Sequence, residues 1–229
     1  FYAFEDPDIR TFKKAKKILS EKGIKTKLLR SNKYSKFYKS YFVNKKLHKP
    51  FVTAKIAISK DYFTINKKEK WITNKASRNK VHLLRSMNDC VLSTSRSINQ
   101  DDSMLNCRIN GLNNCKPDLF IIDMKMKLKK KLSLNKYLKV RKTFLITCKN
   151  NASKTLIYKK LGYKIIFIEK LKNKKDFNLL YKKIYKIGYS RMLIETGLTF
   201  LNSLIKNNLV DDLYIFKSSK KLGKNGKNN

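Results

Sequence analysis

Glu195 closes an apolar run, "MLIE" (192–195), and two residues later Gly197 opens a segment with helical spacing, "LTFLNSLI" (198–205). A carboxylate at the C-terminal edge of such a strand stands where open α/β sheets bind ligands. The glycine lets backbone approach a ligand, and a helix N-terminus offers unpaired N–H groups to a phosphate. A plain helix cap by Thr196 or Glu195 fits the same spacing, so the residues alone leave both readings open. Between Trp71 and Arg108, polar side chains are dense: Arg85 at a helix end, Ser97, the pair Asp101 and Asp102, and Arg108. Paired acids do proton chemistry when their environments separate their pKa values, but "NQDDS" (99–103) also suits a turn. Cys107 and Cys115 invite a metal reading, yet no nearby Cys or His completes a ligand set. His82 stands alone on a helix, a weak general base without an orienting partner, and His48 belongs to another segment. There is no P-loop, no GxGxxG and no G-x-S-x-G elbow.

The elements that must position these residues alternate at short spacing. "FYAF" and "IKTKLL" (24–29) read as strands around a helix in "FKKAKKILSEKG" closed by Gly23, and "NKYSKFYKSYFVNKK" reads as a helix that Pro50 terminates. Strands follow at 51–59, 89–94, 118–123, 143–147, 164–168, 191–195 and 212–216. Helices fit at 74–87, 153–162, 176–188 and 198–208. This is the signature of an α/β domain with a largely parallel sheet. The break at "HKP" (48–50) divides residues 1–48 from a domain at 49–229.

A hydrophobic fraction of 41% with 11% aromatics excludes a disordered chain. The net charge of +39 raises nucleic acid as a partner. Only eight of the 55 basic residues are Arg, the side chain that reads base edges, and the lysines are spread along the chain. Lysine-rich surface drift, a phosphorylated small ligand and a basic nucleic-acid-binding module all remain compatible with that charge. The four cysteines form no paired framework, so a reducing cytoplasm is the default, and no apolar run reaches the 18 or more residues of a membrane span.

Several stretches together resemble one family, the bifunctional riboflavin-biosynthesis deaminase/reductase. They are "KPFVTAKIAISKD" (49–61), "WITNKASRNKVHLLRSMNDCVLSTSRSINQDDSMLNCR" (71–108), "KPDLFIIDMKMKL" (116–128) and "MLIETGLTFLNSLIKNNLVDDLYIFKSSKKLG" (192–223). The resemblance implies a dihydrofolate-reductase-like reductase domain, with a mixed, mostly parallel sheet flanked by helices. Residues 1–48, from "EDPD" onward, resemble the last piece of a cytidine-deaminase-like domain. It also implies NADPH-dependent reduction of 5-amino-6-(5-phosphoribosylamino)uracil at its anomeric carbon, a phosphorylated pyrimidine substrate, and association into a homo-oligomer through the reductase domain. A reductase of the same fold acting on another pteridine or pyrimidine is the neighbouring alternative. The zinc site of the family's deaminase half needs His-Ala-Glu and PC…PPC stretches, and this sequence contains neither. If the chain is a piece of a longer enzyme, that site is expected upstream; if it is complete, no deaminase activity is expected.

Carried over position by position, Ala57, Trp71, Ser97, Asp101, Met124 and the run Gly197, Leu198, Thr199, Phe200, Leu201, Asn202, Ser203 are expected at the cofactor. Glu69, Arg85, Leu105, Arg108 and Glu195 are expected at the substrate, the two arginines as phosphate clamps. Lys55 is expected to point into the pocket, and Lys55, Asp101 and Glu195 are the candidates for catalysis. The sequence departs from the family at "SKDY" (59–62), where "SLDG" is usual, so Tyr62 replaces a turn glycine. Glu69 stands where a small polar residue is common, Met124 where Ser is common, and the tail "KLGKNGKNN" lacks the closing strands expected there.

Overall fold

The computed structural model of the chain describes residues 1–29, 32–112 and 116–228. Its strands, in chain order, are β1 (Phe51–Ile58), β2 (Ile65–Asn66), β3 (Cys90–Thr94), β4 (Asp118–Ile122), β5 (Thr143–Cys148), β6 (Lys164–Ile168), β7 (Arg191–Glu195), β8 (Asp212–Lys217) and β9 (Gly226–Lys227). The helices are α1 (Lys14–Glu21), α2 (Asn32–Leu47), α3 (Lys75–Ser86), α4 (Ser95–Asp101), α5 (Ala152–Leu161), α6 (Lys174–Lys186) and α7 (Leu198–Lys206).

The chain folds as two compact units. The first comprises Phe1–Phe51 and Tyr181–Ser190, the second Val52–Leu180 and Arg191–Asn229. In the first unit the expected strands "FYAF" and "IKTKLL" meet, among the described residues, at a single bridge, Tyr2 to Leu28. Asp8 organises this unit by accepting from Arg10 and from Lys45 at 2.7 Å, while the Phe4 ring packs edge-on against Tyr38 and Phe42.

Seven strands form one sheet in the order β6-β5-β4-β3-β7-β1-β8. The pairings β3–β4, β3–β7, β4–β5, β5–β6 and β1–β8 are all parallel. From β3 the chain steps outward to β6, then returns to insert β7 between β3 and β1. The order therefore reverses at β3/β7/β1, the point at which open α/β sheets form a crevice beyond their carboxyl ends. The central strands are continuous apolar runs because helices cover both faces of a parallel sheet. Val91, Leu119, Ile121, Leu145 and Leu193 are fully buried and pack with Ile98, Leu134 and Tyr158, while Phe120 stacks on Phe144 with centroids 4.5 Å apart. Each such side chain contributes about 1.5–3 kcal/mol on leaving water.

Two local features depart from expectation. Residues 95–101 form α4, so the first three residues of "NQDDS", a stretch that suits a turn, are helical: the Thr94 hydroxyl accepts from Ser97 N at 3.3 Å and starts a helix that runs into Asp101. The tail forms β9, antiparallel to β2, with the Gly226 backbone lying against the Phe63 ring. Among the described residues, no helix is long and apolar enough to cross a membrane.

Candidate active site

The apolar run of β7 carries Glu195 to the end of the strand beside β3, where Ser93 Oγ donates to the Glu195 carbonyl at 2.6 Å. α3 delivers the partner. Asn74 caps it by accepting from Ser77 N at 2.9 Å, and its buried stripe of Val81, Leu84 and Arg85 leaves Arg85 in the last turn. Arg85 meets Glu195 as a fork, Nε to Oε1 at 2.5 Å and Nη2 to Oε2 at 2.9 Å, and Lys55 Nζ from β1 lies 3.6 Å from Oε2. Glu195 and Arg85 are 8% and 9% exposed, so both charges are held out of water and each depends on the other. Burial alone would raise the Glu195 carboxyl, but Arg85, then Lys55, outweigh it and hold it down at about 2. Burial opposes the Arg85 charge, and Glu195 overrides it and raises the guanidinium. Glu195 does not cap α7: Gly197 is the N-cap, and no side chain among the described residues bonds there as a cap. A carboxylate ionised at all ordinary pH values holds cations in place and has no proton to give.

The arginine is held from a second side by the loop 104–108. Arg85 Nη1 donates to the Asn106 carbonyl at 3.1 Å, and His82 Nδ1 lies between that same oxygen, at 3.0 Å, and the Arg108 backbone N, at 3.3 Å. Asn106 Oδ1 accepts from Arg108 Nη1 at 2.6 Å. Burial, then Arg85 and Arg108, push His82 below the ordinary imidazole range, so this ring is neutral and acts as a strut. Leu105 is buried in the core and has φ +50, a left-handed conformation that costs a branched residue about 1–2 kcal/mol. Its carbonyl and that of Met104 accept from the buried Arg141.

Asp101, at the end of α4, is open to solvent, yet enough protein surrounds it that desolvation raises its carboxyl; Lys55 and then Lys70 pull the other way. Ser97, in the first turn of α4, joins the two helix starts: Gly197 N donates to Ser97 Oγ at 3.1 Å, and Thr196 Oγ1 lies 3.5 Å from the same atom. Ala57 lies on β1 two residues beyond Lys55 and is half-buried. In α7, Leu198, Thr199, Asn202 and Ser203 are partly or fully exposed. Leu201 is instead 1% exposed in the core, and Phe200 packs on Phe177 with centroids 5.8 Å apart, so these two side chains serve packing. Met124 follows β4, and its carbonyl accepts from Asn151 at 3.0 Å.

Glu69 and Trp71 stand together in a separate cleft of ≈ 510 Å³, whose lining includes Arg78, Lys217 and Lys220. Trp71 is 51% exposed, with the Arg78 guanidinium 5.0 Å above its ring, and Glu69 pairs with Lys220 at 3.8 Å rather than with the substrate-side arginines. Nearby, Tyr62 adopts φ +66, the conformation a turn glycine takes without strain. Lys217 Nζ lies 4.3 Å from the Tyr62 ring centroid, and Asp61 ties the turn to the tail by accepting from Leu222 N and Gly223 N. Cys107 is buried as a free thiol, Cys115 lies outside the described residues, and no group of three or more His, Cys, Asp and Glu is placed to hold a metal among the described residues.

The sequence signal misses Asn106 and Arg141. An Asn in a loop and an Arg before a strand are ordinary surface residues until the fold brings them against Arg85 and the loop that holds it.

With this geometry in view, residues 50–228 match the family described as the RibD C-terminal domain. The chain belongs to that family. It is 28% identical over 246 residues to the riboflavin biosynthesis protein RibD of Haemophilus influenzae, covering 98% of this chain and 62% of that one. It is 31% identical over 175 residues to the 5-amino-6-(5-phosphoribosylamino)uracil reductase of Buchnera aphidicola subsp. Acyrthosiphon pisum, covering 71% and 81%. Among solved structures, Acinetobacter baumannii RibD superposes with a TM-score of 0.79 at 20% identity, over 99% of this chain and 62% of that one. The riboflavin biosynthesis reductase of Saccharomyces cerevisiae superposes with a TM-score of 0.65 at 19% identity, over 86% and 87%. These likenesses establish the RibD reductase fold, and the chain spans about three fifths of the length of the RibD protein from Haemophilus influenzae.

Proposed function

We propose that the chain performs the NADPH-dependent reduction of 5-amino-6-(5-phosphoribosylamino)uracil to its ribityl counterpart, as a reductase domain of riboflavin biosynthesis. The observation that carries the proposal is the Lys55–Glu195–Arg85 cluster at the reversal point of a RibD-family sheet. Bound NADPH would supply hydride to the anomeric carbon. The residues present fit such a group: no side chain among the described residues caps α7, leaving its first N–H groups to face a diphosphate, and a Cβ on Gly197 would touch only Ser97 Oγ, at 3.8 Å. Ser97 and Thr199 would complete the cofactor wall.

On the substrate side, Arg108 would meet the phosphate and Arg85 the polar ring edge, with Glu195 holding Arg85 and Lys55 in place. Reduction at the anomeric carbon opens the ribose ring and leaves its oxygen in need of a proton. Asp101, raised by desolvation and facing Lys55, is the group to give it, since Glu195 at about 2 is not.

The test is to mix purified protein, NADPH and the deaminated pyrimidine phosphate and to follow nicotinamide absorbance. Loss of absorbance that depends on both ligands is expected. Absence of both turnover and NADPH binding would sink the proposal.

A further inference from the structure

Three successive carbonyls in the loop after α4 face guanidinium groups. Met104 O and Leu105 O accept from Arg141, the latter at 2.9 Å, and Asn106 O accepts from Arg85 at 3.1 Å. Arg141 Nη1 also lies 3.4 Å from Pro117 O, so one guanidinium joins the loop to the start of β4. Arg141 is 5% exposed, and its Nε has no hydrogen-bond partner among the described residues. Burial, with Arg85 adding to it, pulls the group down to about 10. A residue kept charged at such a disadvantage is expected to do something a neutral side chain would not. Two of its three acceptors belong to one place, the turn at Leu105, which holds φ +50 without being glycine, and the third anchors that turn to the start of β4. Reversal of that turn would swing the next carbonyl, Asn106 O, away from Arg85 and His82. It would also move Asn106 Oδ1 away from Arg108.

We infer that Arg141 is a positioning residue for the anion-binding arginines: it locks the Leu105 turn, from which Asn106 aims Arg85 with its carbonyl and Arg108 with its side chain. The inference rests on the proposed function for what the two arginines bind, but the relay itself does not. Lysine cannot replace Arg141, because a single ammonium on a flexible stem does not span three carbonyls from a planar fork.

The experiment uses the purified chain, ribose 5-phosphate as a probe of the phosphorylated ribose, and the variants Arg141→Lys and Asn106→Ala. In folded Arg141→Lys, calorimetry should show ribose 5-phosphate bound about tenfold more weakly, as expected for one misplaced charge-assisted hydrogen bond. NADPH binding should be unchanged. Nitrogen-15 NMR should show the His82 ring signals moved from their parent positions, because Asn106 O and Arg108 N, which flank Nδ1 at 3.0 and 3.3 Å, have shifted. Unchanged ribose 5-phosphate affinity in folded Arg141→Lys overturns the inference, as does an equal loss of ribose 5-phosphate and NADPH binding, which is the mark of a purely structural residue. Should Arg141→Lys fail to fold, Asn106→Ala carries the test: it leaves Arg141 its carbonyls and removes the acceptor of Arg108, and undiminished ribose 5-phosphate affinity then overturns the relay. Should the parent protein bind neither ligand, the proposed function fails and the His82 signal decides alone. Unchanged His82 ring shifts in Arg141→Lys overturn the relay, and displaced ones uphold it.

Discussion

Arg85 and Glu195, 110 residues apart in sequence, meet through two parallel hydrogen bonds of 2.5 and 2.9 Å at the carboxyl end of β7. The pair is buried, so its value lies in geometry. Taking both charges out of water offsets most of their attraction, whereas removing one partner strands the other. Lys55, 3.6 Å away, gives the cluster a net positive charge directed toward the crevice, which suits a phosphorylated substrate.

Glu195→Gln tests that division of labour. The amide keeps the shape but presents N–H groups to Arg85 and Lys55, so unfolding in urea should show a loss of about 3–5 kcal/mol. Under conditions where the variant is folded, NADPH binding should match the parent while reduction of the pyrimidine phosphate falls below detection. Equal loss of both would return Glu195 to a structural role.

The same carboxylate sets an acid limit to stability. Its ordinary value is 4.5 and its folded value about 2, so the contribution is fully present above about pH 4.5 and is lost as pH falls through 2. The gap corresponds to about 3 kcal/mol. Asp61, lowered to about 2 chiefly by the Ser59 hydroxyl, titrates in the same window. The comparison must therefore be parent against Glu195→Gln, with unfolding free energy measured from pH 6 to pH 2. The difference between the two should shrink toward zero at the acid end, and a constant difference would exclude Glu195 as its source.

Glu195 can be picked out in the sequence because an apolar run followed by glycine and a helical stripe is a local pattern. Its partner cannot be paired with it there, since Arg85 reaches it only after β7 inserts beside β3, a fact of topology with no local sign. α4 is obscured because Ser, Asn, Gln and Asp favour turns as readily as helix starts, and the Thr94 cap decides between them. Tyr62 shows the reverse: the substituted glycine is visible in the sequence, and the turn keeps its positive φ despite the bulkier residue. Position alone groups Leu201 with the cofactor segment, and the helical period of α7 turns it into the core.

Asp101→Asn should lower kcat by about 10²-fold or more while leaving KM for NADPH unchanged, the usual loss when a proton donor is removed. Because its carboxyl is raised, the protonated form persists to higher pH than for an ordinary aspartate, and kcat should fall as pH rises through that value. The variant should show no such limb. Retention of the limb in Asp101→Asn would assign the proton to another group, with Lys55 the next candidate.

Two glycines separate ligand space from packing space. A Cβ on Gly197 meets Ser97 Oγ at 3.8 Å, an ordinary contact, and its φ of −69° suits any residue. Gly197→Ala should therefore fold with a thermal midpoint within a few degrees of the parent. A methyl group at the uncapped start of α7 keeps a diphosphate from the N–H groups, so NADPH affinity should fall about tenfold or more. At Gly226 the same Cβ would fall 2.1 Å from Phe63 Cδ2. Gly226→Ala must displace that ring, at a cost of about 1–3 kcal/mol, and should speed amide exchange at Thr64 and Lys67, whose N–H groups donate to the tail. Activity should fall only in proportion to unfolded protein. A Gly197→Ala variant that unfolds like Gly226→Ala, or that binds NADPH as the parent does, would place the cofactor elsewhere than at the start of α7.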